Sequence, residues 1–301
     1  MKKVYVVIAL LVVTSFLLTA CGGPLADLGT EKNPIVWVFV PSGELERVSS
    51  GADAIIQLLH DETGLYFESF VATDYVAAIE AECSDPAKAH MGSLATFALI
   101  AAADRGCAFP ELVAARRGAL TYDAQIYVAA DSGITTLAEI KGNTFCAPSA
   151  TSTSGWIIPS IMLRAAGIDI TDPAQLEIVY GDGAHESAVM GVYNGDCQAG
   201  SGYVDARTRV EADYPDVMEK LTVIEVSVPI PNDGVQFIAD FPEDMRDQIV
   251  AALLKIAATD EGALAINEAY QWDALEEHDN TFYDEFRQLL DAAGINAADL
   301  Q

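Results

Sequence analysis

A run of hydroxyl side chains between a strand and a helix carries the clearest candidate chemistry in this sequence. Within residues 147–159, Ser152, Thr153 and Ser154 follow an apolar strand and precede a helix expected over residues 157–166. The first backbone N–H groups of a helix have no partner inside it, and the helix dipole places partial positive charge there. Three consecutive hydroxyls add more donors than capping of one helix needs. The segment therefore favours the binding of a small anion.

A catalytic interpretation uses some of the same residues. Ser154 would be the nucleophile, His185 the base and Asp205 the orienting acid, because such a triad is defined by geometry and not by chain order. Residues 151–155 lack the first glycine of a Gly-x-Ser-x-Gly elbow, and no Cys-x-x-Cys or His-x-x-x-His motif predicts a metal site. We therefore expect a binding protein without a cofactor and without enzymatic activity, with a serine hydrolase acting on a small ester as the alternative.

The elements that must position this segment alternate between strands and helices. Apolar runs such as residues 35–40 are typical of buried parallel strands, and helical spacing such as that of residues 44–63 follows them. Repeated units of this kind predict an α/β fold with two lobes, a mainly parallel sheet in each and a ligand cleft between them. The other expected strands are 65–71, 89–94, 111–116, 125–130, 144–148, 176–180, 197–201, 223–228 and 234–239, and the other expected helices start at Asp74 and cover 95–105, 155–166, 184–194, 203–213, 242–257, 260–270 and 280–293.

The order of these units predicts where the lobes begin and end. Residues 34–122 form the first part of lobe 1, residues 123–230 form lobe 2, and residues 231–301 complete lobe 1 and add the C-terminal helices. The two lobes are expected to hinge near residues 122–125 and 227–233, where the chain passes from one to the other.

The amino terminus predicts export. A basic start, an apolar run over residues 4–18 and the sequence Leu18-Thr19-Ala20-Cys21 predict a signal peptide over residues 1–20. The run is too short for a stable membrane span. Its end resembles the lipobox of bacterial lipoproteins, which implies a lipid on Cys21, a tether over residues 21–33, and a location on the extracytoplasmic face of a membrane, periplasmic or at the cell surface.

The charge balance excludes some partners. The chain has 45 acidic residues against 16 basic ones, and no Lys or Arg cluster is larger than Arg116-Arg117. Nucleic acid is therefore not an expected partner, because its binding requires a basic surface. For the same reason we expect no arginine to neutralise a bound dianion, so that hydroxyls and a helix end would hold it.

Four further cysteines follow Cys21. Cys83, Cys107, Cys146 and Cys197 allow disulfides in an exported chain, in three possible pairings, or four buried free thiols. Pairing in sequence order would keep each bridge inside one lobe.

The segments described so far resemble the substrate-binding proteins of ABC transporters for phosphonate, phosphite and phosphate. The hydroxyl segment, with Gly155 and Pro159, is similar to the anion loop of that family, and the similarity covers about residues 34–275. It implies a type II periplasmic-binding-protein fold, capture of a small phosphorus oxyanion between two lobes, and delivery to a transporter permease at the membrane. The other similar segments, in chain order, are Asp74-Tyr75, Tyr122, His185-Glu186 and Pro229-Ile230-Pro231-Asn232-Asp233.

The resemblance also implies a role for individual residues. The hydroxyls of the anion loop, the phenols of Tyr75 and Tyr122, and His185 would bind the phosphorus-bound oxygens. Asp205 lies where members that take an aminoalkylphosphonate carry a glutamate, and Asp233 matches an aspartate. The residues implied to bind the ligand are Tyr75, Tyr122, Ser152, Thr153, Ser154, His185, Asp205 and Asp233.

The carboxylates of Asp205 and Asp233 would repel a bound anion unless the ligand offers them a positive or protonated group. An ammonium group would favour 2-aminoethylphosphonate, whereas a P–OH proton would suit phosphate, phosphite or methylphosphonate. The short side chain of Asp205, between the apolar residues Val204 and Ala206, favours the compact oxyanions. A binding protein for an unrelated small anion is a further alternative.

Overall fold

Two β-sheets, each covered by helices, form the centres of two lobes in the computed structural model, which describes Leu25 and residues 27–299. The expected signal peptide and Cys21 lie outside the described residues. The first sheet has the strand order β13-β4-β12-β3-β1-β2. Its strands are β1 (Ile35–Phe39), β2 (Phe67–Val71), β3 (Met91–Ser93), β4 (Ala108–Ala115), β12 (Gly234–Ile238) and β13 (Ala274–Glu277).

The second sheet lies in lobe 2 and has the order β10-β6-β9-β7-β8. Its strands are β6 (Ala124–Ala129), β7 (Asn143–Ala147), β8 (Leu176–Tyr180), β9 (Ala199–Tyr203) and β10 (Leu221–Val226). The α-helices of both lobes are α1 (Leu45–Thr63), α2 (Tyr75–Cys83), α3 (Thr96–Asp104), α4 (Ile158–Ala165), α5 (His185–Tyr193), α6 (Val217–Lys220), α7 (Glu243–Ala257), α8 (Asp260–Tyr270) and α9 (Asp284–Ala292).

Both sheets are mixed, which corrects the expectation of mainly parallel sheets. The pairs β1–β2, β1–β3, β7–β8 and β7–β9 are parallel, whereas β12 and β6 run antiparallel to their neighbours. The reason lies in where the chain enters each sheet. Strands of βα units end at the cleft, but β6 and β12 start there, because each follows directly after a connection between the lobes.

Those two connections pair with each other. Strand β5 (Thr121–Tyr122) and strand β11 (Ile230–Pro231) form a two-stranded antiparallel sheet, in which Tyr122 is opposite Ile230. The Asn232 N–H donates to the Leu120 carbonyl at 2.8 Å, which extends the pairing by one bond. The chain therefore crosses between the lobes in two adjacent strands, at the positions where the sequence predicts hinges.

Helix α1 illustrates how the packing positions residues of the cleft. Its buried face has helical spacing, with Val48, Ile55 and Leu59 fully covered. A Cβ atom at Gly51 would lie 2.5 Å from the backbone nitrogen of Ala269, so only glycine lets α1 approach α8 this closely. The contact fixes the amino-terminal part of α1 beside the carboxyl-terminal end of α8.

Each lobe contains one disulfide. Cys83 is bonded to Cys107 in lobe 1, and Cys146 is bonded to Cys197 in lobe 2, which is the pairing in sequence order. The second bridge ties β7, the strand that precedes the hydroxyl segment, to Cys197, which lies two residues before β9. Loops of this length stabilise a fold by about 3–4 kcal/mol when they are closed.

Two local predictions are wrong. No helix covers residues 203–213, because β9 continues to Tyr203 and only a short 3-10 turn, Ala206–Arg209, follows. The tether predicted to extend to residue 33 is folded in its second part. Leu28 is buried, and the Tyr66 N–H donates to the Gly29 carbonyl at 2.9 Å. The apolar side chain of Leu28 gives these residues a reason to pack on lobe 1.

Lobe 1 also buries a carboxyl group, Glu82 on α2. Its Oε2 accepts a hydrogen bond from Nε2 of Gln236, and its Oε1 is buried without a hydrogen-bond partner among the described residues. Burial raises the pKa of Glu82 to about 8, against a weaker opposing effect of the Gln236 hydrogen bond. The folded protein therefore holds a proton here at pH values where the unfolded chain has released it.

We expect Glu82→Gln to remove a pH dependence of stability. Because the pKa is raised in the folded state, the free energy of unfolding falls as pH rises from about 5 to 9. At about 1.4 kcal/mol per pKa unit, the wild type should lose about 4 kcal/mol between pH 5 and pH 9 that the variant keeps. Urea unfolding of both proteins at pH 5 and at pH 9 measures this change in the free energy of unfolding. Glu80→Gln, on the exposed face of the same helix, is the matched control, and parallel profiles of wild type and Glu82→Gln would contradict the prediction.

Candidate functional site

A cleft of about 330 Å³ lies between the two lobes, beside the hinge strands. Its walls come from the carboxyl ends of strands, from the first residues of helices, and from the hinge itself. The residues that the sequence predicts as ligand-binding and that line this cleft are Tyr75, Tyr122, Ser152, Thr153, Ser154, His185 and Asp233.

Four helix starts meet at the cleft. Helix α2 begins at Tyr75, α3 at Thr96, the π-helical turn before α4 at Thr153, and α5 at His185. Three of these first residues line the cleft, and Ala95, just before Thr96, lines it as well. Each helix start brings N–H groups that have no partner inside the helix, some of them capped by side chains, and the positive end of a helix dipole. Together they create a strong preference for an anion.

The hydroxyl segment is held in a tight turn. Ser152 Oγ accepts from the Gly155 N–H at 3.2 Å, so Ser152 caps the turn and also faces the cleft. A Cβ atom at Gly155 would lie 2.6 Å from both Pro148 Cδ and Ser152 Oγ, which is closer than such atoms can approach. Gly155 is therefore required for the turn to close on itself. The helix-cap and anion-loop interpretations of the sequence both apply to Ser152.

Groups from lobe 1 meet each hydroxyl of this loop. The Phe97 N–H at the start of α3 donates to Thr153 Oγ1 at 2.8 Å. The phenol of Tyr75 donates to the Gly183 carbonyl of lobe 2 at 3.4 Å and lies beside Ser152, and the phenol of Tyr122 lies beside Ser154. Burial raises the pKa of both phenols, so they remain protonated donors at any physiological pH. The lobes thus bring hydroxyl donors together from two sides around a small space.

His185 is a neutral member of this group. Its Nε2 lies 3.4 Å from Ser152 Oγ, and its ring packs against the ring of Tyr203 with centroids 4.7 Å apart. Burial, with a smaller contribution from the charge of Arg116, lowers the pKa of His185 to about 3. The imidazole is therefore uncharged at neutral pH and can offer one N–H to a ligand.

The catalytic triad considered for the sequence is not assembled. His185 contacts Ser152 and not the proposed nucleophile Ser154, and its Nδ1 is buried without a hydrogen-bond partner within the described part of the chain. A base needs an acid at that nitrogen to orient it. Asp205 is not there, and the hydrolase alternative loses its geometric basis.

Asp205 instead binds its own neighbour, which corrects its expected role. Arg207 donates to Asp205 from Nε at 2.9 Å and from Nη2 at 2.6 Å, and Gln125 Nε2 donates at 2.8 Å. This two-point pairing satisfies the carboxylate. Asp205 is absent from the residues that line the cleft, although Val204 is among them. The argument for a compact ligand depended on Asp205 and no longer applies.

Arginines line the cleft, contrary to the expectation that no arginine would stand near the ligand. The guanidinium of Arg116 lies 2.7 Å from Asp233 Oδ1, donates to Asn232 Oδ1 at 2.9 Å, and lies 5.4 Å from the ring centre of Tyr122. Arg116 directly follows β4, whose carboxyl end faces the cleft. Its place at the end of a predicted strand is the feature of the sequence that could have predicted it as a cleft residue. The arginines that line the cleft are Arg47, Arg116, Arg117 and Arg209.

The ion pairs leave little net charge in the inner cleft. Asp233 is neutralised by Arg116 and also accepts from Trp272 Nε1 at 3.2 Å. Arg47 crosses from lobe 1 to Glu186 in lobe 2 at 3.3 Å. An incoming anion would therefore meet hydroxyls, helix starts and a compensated carboxylate. Among the described residues no cluster of metal-ligating side chains is present, and no helix is long and apolar enough to cross a bilayer.

Comparisons with known proteins agree with this geometry. Residues 37–283 match the family of ABC transporter phosphonate periplasmic substrate-binding proteins. The chain is 25% identical over 201 residues to the phosphate-import protein PhnD of Mycolicibacterium smegmatis. That match covers 62% of this chain and 61% of the relative, so the chain spans about three fifths of the length of that relative.

Solved structures of similar proteins have the same fold. The binding-protein component of a phosphonate ABC transporter from Pseudomonas aeruginosa superposes with a TM-score of 0.78, at 21% identity, over 86% of each chain. PhnD1 from Prochlorococcus marinus in complex with methylphosphonate superposes with a TM-score of 0.75, at 13% identity, over 86% of this chain and 98% of the other. These superpositions confirm the two-lobed α/β class expected from the sequence.

Proposed function

This chain belongs to the periplasmic phosphonate-binding proteins of ABC transporters, and we propose that it captures a phosphorus oxyanion between its lobes for a membrane permease. The observation that carries the proposal is the meeting of four helix starts with Ser152, Thr153 and Ser154, each opposed by a group from the other lobe. A phosphonate, phosphite or phosphate head has oxygens on all sides to accept from such donors. The relative that imports phosphate and the structure with methylphosphonate support this ligand class.

Roles follow for the residues around the head group. The three loop hydroxyls, the phenols of Tyr75 and Tyr122, and one N–H of His185 donate to phosphorus-bound oxygens. Asp233 accepts from a P–OH group. We also propose, from the lipobox-like sequence at Cys21, that a lipid anchors the chain at the extracytoplasmic face of a membrane.

Calorimetric titration tests the ligand class. Phosphate, phosphite, methylphosphonate and 2-aminoethylphosphonate are the probes, and sulfate is the matched control because it has a similar shape and no proton at neutral pH. We expect at least one phosphorus oxyanion to bind about a hundredfold more tightly than sulfate, which corresponds to about 2.7 kcal/mol. An absence of binding to every phosphorus compound would reject the proposal, and turnover of a phosphate ester would revive the hydrolase alternative.

We expect the ligand to compact the protein. The two adjacent strands β5 and β11 are the only covalent crossings between the lobes among the described residues, so the lobes can rotate about them. Contacts such as Phe97 to Thr153 and Arg47 to Glu186 join the two lobes across the cleft, and a rotation that opens the cleft would break them. Small-angle scattering should therefore show a smaller radius of gyration at saturating ligand. An unchanged scattering curve would count against a closing cleft.

A further inference from the structure

The cleft contains a second cationic group, away from the hydroxyl loop. Arg209 lies on the 3-10 turn after β9, is partly buried and lines the cleft. Its Nε donates to the Tyr203 hydroxyl at 3.4 Å. No carboxylate lies within ion-pair distance of Arg209 among the residues that the structure describes.

This lack of a carboxylate distinguishes Arg209 from comparable arginines. Arg117 and Arg164 also lack one, but both are exposed to solvent. The other arginines that are buried or partly buried within residues 27–299 each form an ion pair, namely Arg47, Arg105, Arg116, Arg207, Arg246 and Arg287. The chain has 45 acidic residues to supply such partners. Removing a cation from water is costly unless a counter-charge is present, and a ligand can provide one.

A continuous wall leads from the hydroxyl loop to this arginine. Ser152 contacts His185 at 3.4 Å, the rings of His185 and Tyr203 are in contact, and the Tyr203 hydroxyl contacts Arg209. All four residues line the same cleft. A ligand whose phosphorus head lies at the loop can therefore extend its carbon chain along this wall and reach the guanidinium.

The contact of Arg209 with lobe 1 shows the geometry that such a group would adopt. With its amide oxygen turned toward Arg209, Gln271 accepts from Nε and Nη2, both at 2.8 Å. Two N–H groups of the guanidinium converge on this one acceptor, and the same edge of a guanidinium can hold the two oxygens of a carboxylate. Gln271 is positioned by helix α8, which it ends as a left-handed cap with φ of 58° and with its N–H donating to the Asn267 carbonyl. In this contact a neutral amide oxygen occupies the guanidinium edge. A ligand carboxylate in its place would also supply the counter-charge that Arg209 lacks.

We propose that Arg209 and the Tyr203 hydroxyl form a second anion subsite, so that the preferred ligand is a phosphonate whose carbon chain ends in a carboxylate. This inference rests on the proposed function, since it requires the phosphorus head to bind at the hydroxyl loop. The cleft of about 330 Å³ is consistent with it, because pockets of about 300 Å³ and more hold organic ligands. Two carboxylates, Asp123 and Asp273, also line the cleft and make an ammonium-bearing ligand the competing outcome.

Calorimetry with a ligand series tests the subsite. The probes are methylphosphonate, phosphonoacetate, 3-phosphonopropionate and 2-aminoethylphosphonate, on the wild type, on Arg209→Gln and on the control Arg105→Gln, which changes a partly buried arginine far from the cleft. We expect one of the two carboxylated ligands to bind the wild type at least tenfold more tightly than methylphosphonate. Arg209→Gln should abolish that preference, lowering the affinity for the carboxylated ligand at least tenfold more than the affinity for methylphosphonate, and Arg105→Gln should change neither affinity.

Three outcomes would overturn the subsite. Equal loss of affinity for all ligands in Arg209→Gln would mean that Arg209 acts only in closing the lobes onto Gln271. A wild type that binds methylphosphonate as tightly as the carboxylated ligands, or that prefers 2-aminoethylphosphonate, would reject the subsite and leave the proposed function intact. Failure of all four probes to bind would reject the subsite, and the proposed function would be rejected with it only if phosphate and phosphite also fail to bind. Retained methylphosphonate binding also shows that the variant is folded.

Discussion

Thr153→Ala should weaken the binding of the phosphorus oxyanion by about ten- to hundredfold. The variant loses one hydroxyl that donates to a charged ligand, which costs about 1.5–3 kcal/mol. It also leaves the Phe97 N–H without the acceptor that it has at 2.8 Å, and this second loss affects only the closed arrangement. Because Thr153 is almost completely buried, water cannot take over either role.

The chain offers matched controls for this change. Thr151 lies in the same loop and is also buried, but its hydroxyl contacts Ser149 and it does not line the cleft. Thr151→Ala should therefore leave affinity within about twofold of the wild type, and Thr153→Ser should restore most of it. Calorimetry with whichever phosphorus oxyanion binds gives the comparison. If Thr153→Ala binds as tightly as the wild type, the loop serves only as a helix cap.

The anion loop could be predicted from the sequence because it is a local structure. A strand, a glycine-containing turn and a helix start within one segment determine where Ser152, Thr153 and Ser154 point, whatever the rest of the chain does. The same is true of Tyr75 and His185, which are the first residues of α2 and α5. Local patterns of this kind also predicted the ends of most strands and helices to within a few residues of their observed positions.

The arginines of the cleft could not be predicted in the same way. Arg47 is on the first turn of α1 and reaches the cleft only because Gly51 lets α1 pack closely against α8. Arg209 lies where the sequence predicts a helix that the structure replaces with a short turn. The net charge of the chain does not predict such residues, because it averages over the whole surface, whereas the fold decides which few cations lie together in the cleft.

Asp205 shows the converse error. Its position along the chain matches a ligand-binding position of similar proteins, but an arginine follows two residues later and competes for the carboxylate. Arg207 reaches back to both carboxylate oxygens, and Asp205 also accepts from the Arg207 N–H at 3.1 Å as the cap of the turn. Because Arg207 binds both of its oxygens, the carboxylate of Asp205 points away from the cleft.

Asp233 is the carboxylate that remains in the cleft, and its environment predicts which protonation state of the ligand binds. Arg116 and Trp272 both contact Oδ1, so Oδ2 can accept from the ligand. His185, with a pKa lowered to about 3, and the phenols with raised pKa do not titrate between pH 6 and 9. A pH dependence of binding in this range therefore belongs to the P–OH proton that the ligand donates to Asp233.

We expect wild-type affinity for phosphate or methylphosphonate to fall about tenfold per pH unit above the second pKa of the ligand, because the monoprotonated species becomes scarce. In Asp233→Asn the amide can donate to an unprotonated oxygen, and Arg116 loses its counter-charge. The variant should therefore show a nearly flat profile, bind more tightly than the wild type at pH 9, and gain affinity for sulfate.

Asp205→Asn is the matched control for this change. It removes a nearby carboxylate that does not line the cleft, so the slope of its pH profile should equal that of the wild type. Calorimetric titrations from pH 6 to pH 9 on the three proteins give the slopes. A wild-type affinity that does not change with pH would show that Asp233 accepts no ligand proton, and the same slope in Asp233→Asn would assign the pH dependence to another group. A steep slope that only Asp233→Asn removes would explain why a carboxylate stands in an anion site: it selects phosphorus oxyanions that keep a proton over dianions such as sulfate that have none.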